Sequence, residues 1–350
     1  MNEMTSMERA LTTLGHQEPD RVPVFLLLSM HGAKELGLSI KEYFSKAEYV
    51  IEGQLRLKEK FGHDCYYPFF YTPIEMEAMG GNVIFRTNGP PNAGAPIFRN
   101  EGDIKNFKTP EVGSSPVLQR VIDAIKGIKK VAAEETPIIG VALSPFSLPV
   151  IQLGFEAYLE LLQDHEALFW HLMEKNQSFC VEWANAQLEA GATAICYFDP
   201  LSSPTVVPRE LFLETGYKVA CETFKLIHGP TATHLASGRS LSVAADIATT
   251  GTAVLGASVM DDFTDLKEVC CNKLTILGAL DGISMRTWDA KRTEQEVKKC
   301  IKHLGIGGGF ILSDNHGEIP WQVPDEVLHN IVKAARQWGR YPLSWVEHEI

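Results

Sequence analysis

The sequence has little that marks a membrane, nucleic-acid-binding or dinucleotide-binding protein. Its longest uncharged stretch, residues 138–155, is interrupted by Pro145 and Pro149, and it predicts a buried strand followed by a loop rather than a membrane span. No run of Lys and Arg occurs, and the net charge of −12 repels phosphate backbones and anionic membranes. No Gly-x-Gly-x-x-Gly motif follows the first predicted strand, and the sequence contains neither a P-loop nor a Gly-x-Ser-x-Gly elbow.

Cysteine spacing and the start of the chain bear on the cellular compartment. The seven cysteines are an odd number without a Cys-x-x-Cys pair, which argues against a disulfide framework and a zinc knuckle. The first 15 residues lack the basic region and apolar block of a signal peptide, while Thr5 and Glu8 form a capping-box pattern that predicts a short helix. We therefore expect a cytoplasmic protein with reduced thiols that binds neither nucleic acid nor membrane.

Apolar strand-like runs alternate with helical segments along most of the chain, and 45% hydrophobic residues supply a sizeable core. The eight runs are residues 22–28, 65–69, 138–143, 193–198, 231–235, 252–257, 274–278 and 309–312. The main predicted helices are residues 47–61, 117–134, 165–190, 209–227, 240–248, 266–271, 294–304 and 324–338. Asp164 directly precedes the long helix 165–190 and is its predicted N-cap. This alternation favours an α/β fold of the (β/α)8 TIM-barrel type over a doubly wound sheet. We predict one domain, residues 1–350, with an N-terminal helical arm (1–20) and an inserted β-hairpin at about 83–100.

In barrels of this kind the reactive groups lie just beyond the carboxyl ends of the strands. The polar residues at these positions that we predict to be catalytic are Glu75, Asp199, His234, Asp281 and His316. Those that we predict to bind substrate are His31, Tyr71, Ser144, Tyr197 and Asp261. A mixture of histidine and carboxylate can hold a metal or perform acid–base chemistry. Each of these residues also has a structural alternative, since an Asp after a strand is often a turn or capping residue and a buried His is often a core residue.

Several segments in this order and spacing resemble a known superfamily. They are Glu18-Pro19-Asp20-Arg21-Val22-Pro23-Val24, Glu77-Ala78-Met79-Gly80, Ile139-Gly140 to Ser144-Pro145-Phe146, Glu189-Ala190-Gly191-Ala192 to Phe198-Asp199-Pro200, and Val207-Pro208-Arg209-Glu210-Leu211-Phe212. Together they resemble the uroporphyrinogen decarboxylase superfamily and, within it, the branch of cobalamin-dependent methyltransferases that includes the methylcobamide:coenzyme M enzymes. The resemblance covers nearly the whole chain and implies a (β/α)8 barrel.

The sequence departs from the decarboxylase at the substrate-binding loop and from the methyltransferases at the zinc-binding motif. The decarboxylase grips its porphyrin carboxylates with an Arg-rich loop after the first strand, whereas residues 28–34 here offer one Lys and no Arg. The methyltransferase branch binds zinc through His-x-Cys and a later Cys, whereas this chain has His234-Leu235-Ala236 and Asp314-Asn315-His316. By the resemblance, zinc could be held by His234, His316 and a carboxylate such as Asp199 or Glu75, or no metal is bound.

The resemblance implies a corrinoid-dependent methyltransferase. No corrinoid-binding Asp-x-His-x-x-Gly segment occurs in the sequence, so the cobalamin is expected on a separate corrinoid-binding protein. We expect a methyl group to move between a small methylated molecule and the cobalt, with demethylation of the donor favoured over transfer to an acceptor. A homodimer is possible by the same resemblance. The alternatives are a decarboxylase or related lyase acting on a small carboxylate, and a binding barrel without catalysis.

Overall fold

A computed structural model describes residues 3–348 of the chain. Its strands are β1 (Val83–Ile84), β2 (Asn92–Ala93), β3 (Ile139–Leu143), β4 (Ala194–Phe198), β5 (Thr231–His234), β6 (Val254–Gly256), β7 (Thr275–Leu280) and β8 (Phe310–Asp314). Strands β3 to β8 form a parallel sheet in which every strand pairs with its neighbour in the sequence. Parallel strands in chain order, each separated from the next by helix, are the arrangement of a (β/α)8 barrel.

Two extended segments complete the barrel without forming regular strands: segment A (residues 22–28) and segment B (residues 65–69). Segment A makes one parallel bridge, from Val24 to Leu312 of β8, and segment B makes one, from Tyr66 to Ile138 beside β3. Pro23 and Pro68 lack the N–H that a longer ladder requires. The predicted barrel is confirmed, but two of its eight predicted strands are therefore only single bridges.

The helices surround this sheet. They are α1 (Ser6–Leu14), α2 (Gly32–Leu36), α3 (Ile40–Tyr43), α4 (Ala47–Phe61), α5 (Ile74–Ala78), α6 (Glu101–Lys105), α7 (Pro116–Ala132), α8 (Pro149–Leu153), α9 (Phe155–Asp164), α10 (Glu166–Glu189), α11 (Arg209–Glu214), α12 (Gly216–Phe224), α13 (Leu241–Ile247), α14 (Phe263–Cys270), α15 (Ala290–Cys300) and α16 (Asp325–Trp338). No helix among the described residues is long and apolar enough to cross a membrane.

Three local predictions are wrong. The predicted helix 209–227 is divided at Thr215 into α11 and α12. The loop predicted after β3 contains α8, which begins at Pro149 because the fixed φ of proline suits the first turn of a helix. Asp164 does not cap the long helix α10, since it is the last residue of α9 and His165 stands between them.

The N-terminal arm and the inserted hairpin lie at opposite ends of the barrel. The capping box of α1 is confirmed, with the Thr5 hydroxyl accepting the Glu8 N–H and the Glu8 carboxylate accepting the Thr5 N–H. Side chains of α1 cover an apolar cavity of about 60 Å³ inside the barrel. At the other end β1 and β2 pair antiparallel, and the Gln322 amide, in the loop after β8, donates to the Asn88 carbonyl at 2.7 Å. The predicted hairpin is thus confirmed, and its turn reaches the loop at the carboxyl end of β8.

The cavity identifies which side chains point into the barrel. Its lining includes Cys196 of β4, Ala232 of β5 and Leu277 of β7. Because successive side chains of a strand point to opposite faces, Phe198 and His234 point the same way, two residues closer to the carboxyl end. These inward positions at the carboxyl end, which we call the barrel mouth, are where the candidate site lies.

Candidate functional site

His234 ends β5 and is the polar side chain set most deeply in the barrel mouth. It is fully buried, and its ring stacks on that of Phe198 with the centroids 5.9 Å apart. Gly256, at the end of β6, leaves the space for the imidazole, because a Cβ at that position would lie 2.8 Å from Cδ2 of His234. The glycine at the end of β6 therefore leaves room for the His234 ring.

The protonation of His234 follows from the turn after β5. Nδ1 accepts the backbone N–H of Ala236 at 3.1 Å, and Ala236 has the left-handed φ of +51°. Burial, with the nearby His316, lowers the pKa of His234 to about 4. The ring is therefore neutral near pH 7 with its proton on Nε2, and Nε2 is buried without a hydrogen-bond partner in the described part of the chain.

The loop after β8 closes over this histidine. Oδ2 of Asp314 accepts the backbone N–H groups of His316 at 2.8 Å and Gly317 at 3.0 Å, which fixes the turn. Burial raises the pKa of Asp314 to about 6. Gly317, with a φ of +83°, lies against the His234 ring, since a Cβ there would be 3.3 Å from Cε1 of His234. The Tyr67 hydroxyl donates to the Gly317 carbonyl at 2.7 Å and ties this loop to segment B.

His316, on the loop after β8, packs against the loop after β7. A Cβ on Gly282 would lie 2.8 Å from Cδ2 of His316, and Nε2 of His316 has no partner among residues 3–348. Burial lowers the pKa of His316, although the carboxylate of Asp281 opposes this.

Asp281 accepts the backbone N–H groups of Ile283 and Ser284. Although burial favours its neutral form, these bonds and the Ser284 hydroxyl hold the pKa of Asp281 below its usual range. Asp281 is therefore a turn-capping carboxylate.

A second group of polar residues follows segment A. The Ser29 hydroxyl donates to Oε1 of Glu318, whose pKa burial raises to about 7. His31 is 1% exposed, and burial together with Lys34 lowers its pKa to about 3, so it is neutral. Nζ of Lys34 donates to the Trp321 carbonyl and lies 4.6 Å from the centre of the Trp321 ring. Lys34 is thus held by the loop after β8 instead of pointing freely into the mouth.

Glu75 closes a gap in the barrel wall. Beyond Ile139, segment B no longer pairs with β3, so the N–H groups of Val141 and Leu143 have no strand partner on that side. The Gln187 side chain accepts from Val141 N–H and donates to the Val141 carbonyl, and Oε1 of Glu75 accepts Leu143 N–H at 2.8 Å. Burial raises the pKa of Glu75 to about 8. The carboxyl group is therefore protonated at neutral pH and replaces a missing strand hydrogen bond.

Asp199 and Ser144 form a buried anchor between the loops that follow β3 and β4. Asp199 accepts hydroxyl hydrogen bonds from Ser144 at 2.5 Å, Ser147 at 2.6 Å and Ser202 at 2.5 Å. Asp199 immediately follows the inward-pointing Phe198, so its side chain is on the outer side of the wall. The three serine hydroxyl groups therefore satisfy the Asp199 carboxylate without a ligand.

Three further predicted residues also lie away from the inward face. The Tyr197 ring packs edge-on against Phe224 of α12 at 4.7 Å, in the helical layer. The Tyr71 hydroxyl donates to Glu77 at 2.5 Å. Asp261 accepts both the N–H and the hydroxyl of Ser240, which orders the start of α13. The contacts of Tyr197 are thus packing contacts and those of Asp261 are capping contacts, and their role in binding substrate stays a prediction.

Zinc does not fit the residues present. Within residues 3–348, no group of three or more His, Cys, Asp or Glu side chains could hold a metal ion. The proposed carboxylate ligands are engaged elsewhere, Asp199 by serines and Glu75 by Leu143. His234 presents a proton rather than a lone pair at Nε2, whereas a metal needs the lone pair. The described residues therefore do not form a zinc site.

The residues that sequence reasoning missed are those that shape the site rather than react. Gly256, Gly282 and Gly317 make room for the two histidines, and Tyr67 holds the β8 loop. A glycine at the end of a strand could have pointed to a closely packed ring, but nothing in the sequence indicates which ring.

The fold and site define a barrel of the enzyme type, with two histidines and several carboxyl groups gathered at the carboxyl ends of the strands. Residues 5–338 match the family model described as uroporphyrinogen decarboxylase (URO-D). The chain therefore belongs to the uroporphyrinogen decarboxylase family.

Similar proteins include both uroporphyrinogen decarboxylases and a methyltransferase. The chain is 24% identical over 333 residues to a uroporphyrinogen decarboxylase of Photorhabdus laumondii, covering 89% of this chain and 91% of that one. It is 25% identical over 362 residues to a uroporphyrinogen decarboxylase of Magnetococcus marinus, covering 96% and 98%. Among solved structures it is similar to a methyltransferase from Methanosarcina mazei, with a TM-score of 0.85, 20% identity, and 96% and 99% of the two chains covered. At that identity the likeness shows the fold, which agrees with the predicted superfamily.

Proposed function

We propose that this protein transfers a methyl group between a small methylated molecule and the cobalt of a corrinoid carried by a separate protein, with demethylation of the donor as the favoured direction. The observation that carries the proposal is the uncharged lining of the barrel mouth. Phe198 is apolar, and His234 is neutral with its proton on Nε2. Methyl transfer depends on holding an electrophilic carbon in line in a dry site, and it needs no fixed charge at the carbon.

The rim of the mouth fits a docked carrier protein. Exposed apolar side chains stand on the hairpin and on loops that follow β4, β6 and β7: Ile84, Val206, Met260 and Ile283. Arg86 and Arg239, on the hairpin and the loop after β5, are exposed and make no ion pair with any described residue. Unpaired cations on the rim of a chain of net charge −12 favour a partner with an acidic docking face. When bound, a reduced corrinoid supplies the nucleophile that accepts the methyl group.

The chain itself supplies the binding and proton-transfer groups. When the bond to the methyl carbon breaks, its electron pair stays on the leaving oxygen or nitrogen, which must then gain a proton. Glu318 has a pKa raised to about 7, and Ser29 donates to its Oε1. A carboxyl group that titrates near neutrality is suited to general-acid catalysis. Glu318 is therefore our candidate proton donor, and exclusion of water is the role of the ring of Phe198 and the closed β8 loop.

The decarboxylase alternative is disfavoured for a porphyrin. The loop after segment A offers Lys34 alone, and its ammonium group is already bound to the Trp321 carbonyl. Eight substrate carboxylates would meet neutral histidines and buried carboxyl groups there. Bidentate arginine contacts are the usual means of gripping such groups. A small monocarboxylate remains as the competing substrate for a lyase.

The test mixes the full-length protein with chemically reduced cobalamin and a panel of methoxylated and methylamine-type donors while the cobalt absorption bands are followed. We expect the bands to change with at least one donor and the rate to fall by about 10²-fold or more in Glu318→Gln, which keeps the shape but not the acid. Ser202→Ala, in the anchor behind the wall, is the matched control and should keep most of the rate. No spectral change with any donor, and none with methylcobalamin plus acceptors, overturns the proposal. Release of carbon dioxide from a small carboxylate without cobalamin would identify a lyase, and tight binding without turnover would identify a binding barrel.

A further inference from the structure

The orientation of one backbone N–H determines what His234 can do. His234, Leu235 and Ala236 form the turn that leaves β5, and the positive φ of Ala236 directs its N–H back to the imidazole. A left-handed conformation costs an alanine roughly 1 kcal/mol, so the surrounding turn must hold it. The Asp199 N–H donates to the His234 carbonyl at 2.8 Å, and the Gly238 N–H donates to the Leu235 carbonyl at 3.1 Å. The backbone on both sides of Ala236 is therefore fixed.

Because Nδ1 accepts this N–H, it cannot carry a proton itself, so the imidazolium form and the Nδ1–H tautomer are both excluded in this geometry. The remaining neutral tautomer has its proton on Nε2. The ring is too closely surrounded to turn over and exchange the two nitrogens. A Cβ on Gly256 would lie 2.8 Å from it and a Cβ on Gly317 would lie 3.3 Å from it, and Phe198 stacks on it. Nε2 has no partner in the structure over residues 3–348.

We infer that His234 is a tautomer-locked hydrogen-bond donor that binds an oxygen lone pair of the ligand through Nε2–H, and that it is not a zinc ligand. The ligand atom it selects is an ether or phenolic oxygen, because a quaternary ammonium nitrogen has no lone pair to accept the bond. Apolar surroundings strengthen such a bond and penalise its absence, so a methyl ether is favoured over a hydrocarbon of the same shape. The choice of a methyl ether rests on the proposed function, whereas the tautomer lock rests on the contacts of the turn alone.

The first experiment measures the tautomer directly. The protein is labelled with ¹⁵N-histidine, and long-range ¹H–¹⁵N correlations are recorded from about pH 6 to pH 8, where model histidines titrate. The His234 signals are assigned by their loss in His234→Gln, with His316→Gln as the matched variant. We expect an unprotonated Nδ1 and a protonated Nε2 throughout this range. An Nδ1–H tautomer, or titration of the ring within the range, overturns the inference. If His234→Gln does not fold, Gly256→Ala assigns the same signals through the displaced ring.

Two titrations test what Nε2–H binds. Added Zn²⁺ should leave the His234 signals in place, and a metal-bound pattern at Nε2 overturns the inference. Anisole should shift the Nε2–H signal while ethylbenzene, which replaces the ether oxygen by a methylene group, should not. Equal shifts, or no shift with anisole, overturn the oxygen-acceptor part. Neither titration involves cobalamin, so failure here leaves the corrinoid test of the proposed function standing, and failure of that test leaves the tautomer result standing.

Discussion

The substitution Glu75→Gln tests whether the buried Glu75 carboxyl group is protonated in the folded protein. Burial raises the pKa of Glu75 to about 8, compared with an ordinary value of 4.5. Between these two pH values the folded protein keeps a proton that the unfolded chain has lost. The contribution of Glu75 to stability is therefore fully present below about pH 4.5 and is lost as pH rises through about 8.

The size of the effect follows from proton linkage. One proton held by the folded state changes the free energy of unfolding by about 1.4 kcal/mol per pH unit, which amounts to roughly 5 kcal/mol between pH 4.5 and pH 8. Glutamine keeps an oxygen that accepts the Leu143 N–H but cannot ionise. The cost of burying the glutamine amide is the same at every pH, so the informative quantity is the slope of the stability difference against pH.

The assay is urea unfolding of wild type and Glu75→Gln at intervals from about pH 5 to pH 8.5. We expect the wild type to lose stability relative to Glu75→Gln across this range. Glu77→Gln, two residues away on a half-buried side chain, is the matched control and should follow the wild type. Parallel curves for wild type and Glu75→Gln would show that Glu75 ionises normally and would refute the account of the barrel wall.

Three further predictions concern the site and the arm. Gly256→Ala should displace His234 and destabilise the fold by about 1–3 kcal/mol. ¹⁵N spectra should then show altered signals for His234 but not for His316, and Gly282→Ala should alter His316 but not His234. If both variants alter the same histidine, the two rings do not occupy separate positions. Asp64→Ala should cost about 3–5 kcal/mol in urea unfolding, because Arg9 and Arg21 would each lose a buried partner, at 2.8 Å and 2.6 Å; a loss below 1 kcal/mol would count against this network. Arg239→Glu should raise the concentration of carrier protein needed for half-maximal rate about tenfold without changing the rate with free cobalamin, and an equal loss with both would remove the docking assignment.

The barrel was predictable from the sequence because its elements carry their own signals. Alternating apolar runs and helices predict the β/α order, and α4 lies at the predicted residues 47–61. Segments A and B are irregular because proline lacks an N–H for strand pairing and because side chains such as Gln187 and Glu75 replace strand partners. A local sequence pattern does not reveal these long-range hydrogen bonds. The division of the predicted helix at Thr215 is a tertiary effect of the same kind.

The site was predictable only in part. The strand-end rule found His234 and His316, because the end of a strand is a matter of chain position. The rule could not distinguish inward from outward side chains, so it also selected Asp199 and Tyr197, which lie one residue out of phase with the mouth. The tautomer of His234 depends on the φ of a residue two positions away, and an alanine gives no indication of a left-handed turn.

The most direct test of the central claim is transfer of a ¹³C-methyl label from a methoxylated donor to added reduced cobalamin, followed by NMR of the cobalamin fraction. We expect label on cobalamin with the wild-type protein, at a rate that falls in His234→Gln and Glu318→Gln but persists in Ser202→Ala. Absence of label with every methylated donor, under conditions where the protein is folded and binds anisole, would contradict it.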